Sequence, residues 1–272
     1  MDKTIAVISD VHSNFQALYA VYRSFYDLVD EIWFLGDLFG GGGEFFQVYS
    51  AMCDMLKPSV WLLGNHDLAV LGNERLYTMM SITDQKFTDE EREFINPQIH
   101  KELGKKRSKM AIGSNKKILL SHAVPGMSDE ESVIHYEHRV VLESRLDAEN
   151  EILHIREKTA PQSNIWLLGH SHRQLAWQFN GDEWSQMIDG FGHSLRGLSF
   201  TDVNLNGEIV RTATVDLKKV NEQSLILLNP GSVGKPRDGN RNGQKKIAKY
   251  LLLRFTGDIL SIEFRLVPYG ER

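Results

Sequence analysis

Residues Val60 to Asp67 read Val-Trp-Leu-Leu-Gly-Asn-His-Asp. Four consecutive apolar residues form a strand buried on both faces, Gly64 lets the backbone turn sharply, and Asn65, His66 and Asp67 follow together at its carboxyl end. The pattern recurs at Ile32 to Asp37 (Ile-Trp-Phe-Leu-Gly-Asp) and at Ile165 to His172 (Ile-Trp-Leu-Leu-Gly-His-Ser-His). Ile5 to His12 (Ile-Ala-Val-Ile-Ser-Asp-Val-His) and Ile118 to His122 (Ile-Leu-Leu-Ser-His) are variants with serine in place of glycine. The spacings are too uneven for a repeat unit. What they share is a demand that polar groups from several strands converge on one point.

The connections say how. Asn14 is an N-cap, and Phe15, Leu18, Tyr19, Tyr22, Phe25 and Tyr26 recur at helical spacing as a packing stripe. A second helix from about Glu44 to Leu56 follows the glycines Gly40 to Gly43. Strand, helix, strand, helix, strand implies parallel strands with right-handed crossovers, with the ligand-type residues at one edge of the sheet. Thr88 and Glu91 have the spacing of a capping box, and Pro97 marks a break. Met110 to Ile112 and Lys117 to Leu120 flank Gly113-Ser114-Asn115 as a hairpin, and Asn180-Gly181 and Asn206-Gly207 mark further hairpins that form a second sheet. Leu225 to Leu228 is another buried strand, followed by strands from about Ala248 to Phe255 and Ile259 to Leu266. The expected fold is α/β, two sheets packed face to face with helices outside, in one domain spanning 1–272. The polar segment 126–162 interrupts two ligand-bearing strands and is positioned to cap the site.

Composition narrows the partners. A net charge of -5 opposes a nucleic-acid backbone as main partner, which would require clustered positive charge. The single cysteine, Cys53, excludes an intrachain disulfide and a cysteine-based zinc site, and its apolar surroundings suggest a core thiol. No apolar stretch reaches the roughly 20 residues a membrane span requires, and Met1-Asp2-Lys3-Thr4 leads directly into a strand, so a cytoplasmic protein is expected.

Asp10, His12, Asp37, Asn65, His122, His170 and His172 all stand at or just past apolar strand ends. Carboxylate, amide and imidazole together suit zinc, manganese or iron, whereas magnesium and calcium prefer more oxygens. Seven such side chains are too many for one ion with an open position and fit two divalent or trivalent ions sharing a carboxylate, for which Asp37 is the natural bridge. Two ions roughly 3.5 to 4 Å apart activate a water and clamp phosphate oxygens during in-line attack.

The ordered set Asp-x-His at 10–12, Gly-Asp at 36–37, Gly-Asn-His-Asp at 64–67, Ser-His at 121–122 and Gly-His-Ser-His at 169–172 resembles the calcineurin-like metallophosphoesterase superfamily. Asn229-Pro-Gly-Ser-Val-Gly-Lys-Pro-Arg-Asp238 resembles the closing motif of its small bacterial and archaeal phosphodiesterase branch. The resemblance implies a four-layer αββα sandwich of two mixed sheets flanked by helices. It implies one metal on Asp10, His12, Asp37 and His172, and another on Asp37, Asn65, His122 and His170. It implies His66 as general acid, with Asp67 orienting its imidazole.

Asp37 is followed by Leu38-Phe39-Gly40-Gly41, where the protein-phosphatase branch has Val-Asp-Arg-Gly after its Asp and one further residue. That departure weakens a phosphoprotein-phosphatase or symmetric diadenosine tetraphosphatase reading. The expected activity is hydrolysis of a nucleotide phosphodiester or phosphoanhydride, such as asymmetric cleavage of diadenosine tetraphosphate. Phosphomonoester or phosphoprotein hydrolysis, and a non-catalytic metal-binding interaction scaffold, are the alternatives. Asn14, Phe39, Tyr136, Arg139 and Arg237 are the expected substrate contacts: aromatic groups for a base, arginines for phosphate.

Overall fold

The structure, a computed structural model, describes residues 2–41, 43–112, 117–123, 155–158, 162–181, 184–188, 203–205, 208–236 and 246–270. The chain opens with β1 (Lys3–Ile8), α1 (Phe15–Phe25), β2 (Glu31–Phe34), α2 (Phe45–Ala51) and β3 (Val60–Trp61). α2 runs on as a π-helical turn over Met52–Leu56, closed by Lys57 in the left-handed conformation. β1, β2 and β3 pair in parallel, as the apolar runs and intervening helices require.

Four helices follow: α3 (Asn65–Val70), α4 (Glu74–Thr78), α5 (Ile82–Phe94) and α6 (Pro97–Leu103). The Thr88/Glu91 pair does not cap a helix. α5 starts about two turns earlier, where the Ser81 side chain accepts from the Asp84 N–H, and Thr88 and Glu91 are buried within it. Pro97 takes the first position of α6, where its missing N–H costs nothing.

β4 (Lys109–Ile112) and β5 (Lys117–Ser121) form the expected hairpin, and β6 (Ser163–Leu168) lies parallel to β5. β7 (Gln174–Phe179) and β8 (Trp184–Ile188) form a second antiparallel pair, β9 (Val203–Leu205) and β10 (Glu208–Asp216) a third. β11 (Leu225–Pro230), β12 (Lys246–Thr256) and β13 (Ile259–Tyr269) complete the chain. One sheet has the order β3-β2-β1-β12-β13-β10-β9, the other β4-β5-β6-β11-β7-β8. The later hairpins therefore do not make a sheet of their own: β7–β8 widens one sheet and β9–β10 the other.

Strand alternation builds the layers. Ile5 and Val7 of β1, with Leu251, Leu253, Ile262 and Phe264, face Ile165, Leu167, Ile226 and Leu228 of the other sheet in one shared core. The alternate residues Ala6 and Ile8 meet Leu18, Val21 and Phe25 of α1 and Val48 of α2. On the far side, Trp166, Leu168, Trp177 and Leu227 pack under Ile155 in the helical residues 155–158. Each fully buried large side chain here contributes roughly 1.5–3 kcal/mol of transfer free energy. Arg156 anchors that last helix by donating to the carbonyls of Ser163, Glu222 and Gln223. The rest of 126–162, apart from Gln162, lies outside the described residues, so the cap expectation, with Tyr136 and Arg139, falls there; so does Arg237.

Cys53 is exposed, not a core thiol, because Met52 and Leu56 take the inward positions of that turn. Among the described residues no helix is long and apolar enough to cross a membrane.

Candidate metal centre

Because β1 and β2 are parallel neighbours, the loops that follow them leave the sheet together. They are joined by backbone bonds: Asp10 N to Gly36 O at 3.0 Å, and Val11 N and His12 N to Asp37 O at 2.8 and 3.1 Å. The Asp67 carboxylate accepts from the backbone N–H groups of Asp37, Leu38, Phe39 and Gly64, at 2.9, 2.8, 3.1 and 2.9 Å. Gly64 is required by close approach, since a Cβ there would lie 2.0 Å from Asp37 Oδ1. The closing segment docks on the same loop, through Val233 N to Ser9 O and Gly234 N to Asp10 O, both 3.0 Å.

The ligand-type residues do not come from one sheet edge. β1, β2 and β3 supply Asp10, His12, Asp37 and Asn65; β5 and β6 of the facing sheet supply His122, His170 and His172. Asp10, His12, Asp37, His170 and His172 all have left-handed φ, between +48° and +63°. Each such non-glycine residue costs on the order of 1–3 kcal/mol, and that strain concentrates where geometry serves a site.

Asp10, His12, Asp37 and His172 present donor atoms within 4.8 Å of one another, and Asp37, His122 and His170 form a second such group. Asp37 belongs to both. Its Oδ2 lies 3.7 Å from His12 Nε2 and 3.3 Å from His122 Nε2. Asn65 Oδ1 joins the second group at 3.1 Å from His122 Nε2 and 2.9 Å from His170 Nδ1.

The donor set fits a pair of cations. Nδ1 of His12, His122 and His172 faces the carbonyl oxygens of Gly40, Leu35 and Lys235, at 3.1, 2.9 and 2.7 Å. Donating there leaves the Nε2 lone pairs turned inward, the arrangement in which histidine binds metal. His12 Nε2 and His172 Nε2 then confront each other at 3.0 Å, beside an Asp10 Oδ1 that is buried without a hydrogen bond. Two lone pairs and a carboxylate oxygen aimed at one point call for a cation. Burial, then the charge of His172, drives His12 well below the usual imidazole range; burial, then His122, takes His170 down to about 3. Both rings are thus held in the neutral, ligating form. His122 goes the other way: burial opposes its charge, but the adjacent Asp37 outweighs this and raises it to about 9. Burial likewise opposes ionisation of Asp37, and His122 and its neighbours overcome that, holding the carboxyl well below its usual value.

Three expected roles change. Asp67 does not orient His66: its carboxylate is taken up by the backbone amides of Asp37, Leu38, Phe39 and Gly64. Asn14 caps α1 through Ala17 N, and its amide donates to Gly234 O and Tyr269 Oη, leaving no donor for a substrate. Phe39 is 1% exposed, packed in the core with α1 and α2, and cannot stack on a base. The His66 ring stands beside His12, centroids 4.8 Å apart, with Nδ1 buried and unbonded against Gly40.

Two neighbours were missed. Glu91, fully buried, bonds Gly40 N and the Ser13 hydroxyl, and Lys235 bonds Gly40 O and Asp84. The Thr88/Glu91 spacing points to a helix cap and hides the role of Glu91, and nothing in the closing motif's sequence separates Lys235 from Arg237 as a contact.

A two-sheet α/β sandwich with buried Asp/His clusters at its strand ends defines a metallophosphoesterase. The chain belongs to the calcineurin-like phosphoesterase family, whose model matches residues 3–194. It is 28% identical over 246 residues to an uncharacterized protein of Methanocaldococcus jannaschii, covering 86% of this chain and 78% of that one. Among solved structures it is similar to a metallophosphoesterase from Sphaerobacter thermophilus, at TM-score 0.59 and 21% identity over 99% of this chain and 89% of the other. It is also similar to a hypothetical protein from Pyrococcus horikoshii, at TM-score 0.61 and 14% identity over 98% and 89%. The clusters are consistent with the dinuclear metal site typical of the family.

Proposed function

We propose that the protein is a dinuclear-metal hydrolase of phosphodiester or phosphoanhydride bonds in nucleotides. The observation that carries this is Asp37, common to two buried donor clusters. Asp10, His12, Asp37 and His172 would hold one ion of manganese, iron or zinc, and Asp37, Asn65, His122 and His170 the other. Bound there, the pair would supply an activated water and charge neutralisation at the phosphate oxygens.

The chain's own residues do the rest. The carbonyls of Gly40, Leu35 and Lys235 keep three imidazoles in one tautomer. Asp67 fixes the loop that presents Asp37. Because Nδ1 of His66 is pressed against Gly40, its Nε2 is the nitrogen that holds the proton for the leaving oxygen, and the negative charge of a bound phosphate group would favour the protonated ring. The absence of an arginine after Asp37 favours asymmetric cleavage of a dinucleoside polyphosphate, releasing ATP and AMP from diadenosine tetraphosphate.

A chromatographic screen with manganese tests the substrate class, offering mononucleotides, cyclic nucleotides, dinucleoside polyphosphates and phosphopeptides. Cleavage of a diester or polyphosphate should be fastest. Faster phosphate release from monoesters or phosphopeptides would overturn the substrate choice, and bound metal without turnover of bis-p-nitrophenyl phosphate would favour the scaffold alternative.

A further inference from the structure

Lys235 is joined to the site in two ways. Its backbone carbonyl accepts from His172 Nδ1 at 2.7 Å, and its ammonium donates to Gly40 O at 3.2 Å and to Asp84 Oδ1 at 3.1 Å. Gly40 O also receives His12 Nδ1, so the ammonium stands one carbonyl away from the metal-facing rings. A Cβ on neighbouring Gly41 would lie 2.9 Å from Lys235 Nζ and 3.2 Å from His12 Cβ, so both side chains lie close against the same glycine. Burial chiefly lowers both His12 and His66, and the charge of Lys235 lowers each further.

The side chain is nevertheless 41% exposed and that of Asp84 25%, so this ion pair lies at the mouth of the site, not inside a core. An exposed pair of this kind stabilises a fold little. Asp84 also accepts from the Ser81 hydroxyl at 2.8 Å, so its carboxylate is held in place without the lysine. Lysine has three ammonium donors on a flexible stem, and the described residues take two of them. A flexible cation beside a phosphate site, held by a replaceable anion, is suited to exchange that anion for a phosphate oxygen.

We propose that Lys235 is the contact for a second phosphate group, the one adjoining the phosphorus under attack, and that Asp84 holds the ammonium until that group arrives. The assignment rests on the phosphoanhydride reading above. It makes Lys235, not Asn14 or Phe39, the residue that distinguishes a polyphosphate chain from a singly phosphorylated substrate.

Calorimetric titration of the metal-loaded protein with methylenediphosphonate and with methylphosphonate, whose P–C bonds resist hydrolysis, reads the contact directly. Wild type should bind the diphosphonate more tightly. Lys235→Met should lose about 10- to 100-fold in diphosphonate affinity, the worth of a charge-assisted hydrogen bond, and much less for methylphosphonate. Lys235→Arg should retain most of the preference, and Asp84→Asn should bind the diphosphonate as tightly as wild type or more so. Metal content, measured by mass spectrometry, should stay at two ions per chain in each variant. Equal losses for both ligands, or an Asp84→Asn variant that weakens binding as Lys235→Met does, would make Lys235 a field charge or a strut and overturn the proposal. If the nucleotide screen favours monoesters while Lys235→Met still abolishes the diphosphonate preference, the substrate reading fails and the subsite stands.

Discussion

Both carboxylate oxygens of Glu91 lie 2.9 Å from the backbone nitrogen of Gly40, and one of them also accepts from the Ser13 hydroxyl at 2.6 Å. A residue in the last turn of α5 thereby fixes the loop whose carbonyl orients His12. The loop of glycines after Asp37 is held from both sides, by Asp67 at its start and Glu91 at Gly40.

That arrangement gives a pH dependence. Burial pushes the Glu91 carboxyl from its ordinary 4.5 up to about 7, although its bonds to Ser13, Gly40 and Gly41 favour the charged form. Between these values the folded chain keeps a proton that the unfolded chain has released. The stabilising contribution is therefore complete below the unfolded value and is lost as pH rises to about 7, by up to ~3 kcal/mol. In urea unfolding with chelator present, wild type should lose stability relative to Glu91→Gln from pH 4.5 to 7, and the offset should level off above. Wild type gaining stability relative to the variant across that window would show that Glu91 folds as the carboxylate.

Asp37→Asn should lose metal and activity together, because the shared carboxylate is what would screen two cations from each other. Mass spectrometry of the purified variant decides it. Two ions retained at wild-type occupancy would remove the bridging role.

His66→Ala should keep its metals and slow turnover by about 10²- to 10⁴-fold, the usual worth of a placed general acid. The loss should be largest for alkyl or nucleotide leaving groups and smallest for nitrophenolate, which leaves without a proton. Equal losses for both would rule out the acid role.

Gly40→Ala joins two faults: φ is +90° there, and the new Cβ would lie 2.1 Å from His66 Nδ1. The expected loss is at least about 1–3 kcal/mol in urea unfolding, with turnover reduced as His66 is displaced. A variant with unaltered stability and unaltered kinetics would mean that this contact relaxes freely.

Much of the site was legible in the chain because its chemistry is local to strand ends. An apolar run long enough for a buried strand, a small residue, then Asp, Asn or His can be read without knowing where the strand goes, and the seven candidate donors are legible in that way. Strand neighbours could not be read so, and the site proved to join three strands of one sheet with two of the other. Roles set by partners distant in sequence were illegible for the same reason. Asp67 follows His66 in the chain, yet its bonds run mainly to residues 37–39, and Glu91 looked like a helix cap until Gly40 was found against it. Phe39 read as a free aromatic beside glycines, and only the packing of α1 and α2 over β1 and β2 buried it. Residue type at a strand end fixes which atoms are available for bonding. Which atoms they meet is decided by hydrogen bonds and packing that form only once both sheets have closed on each other.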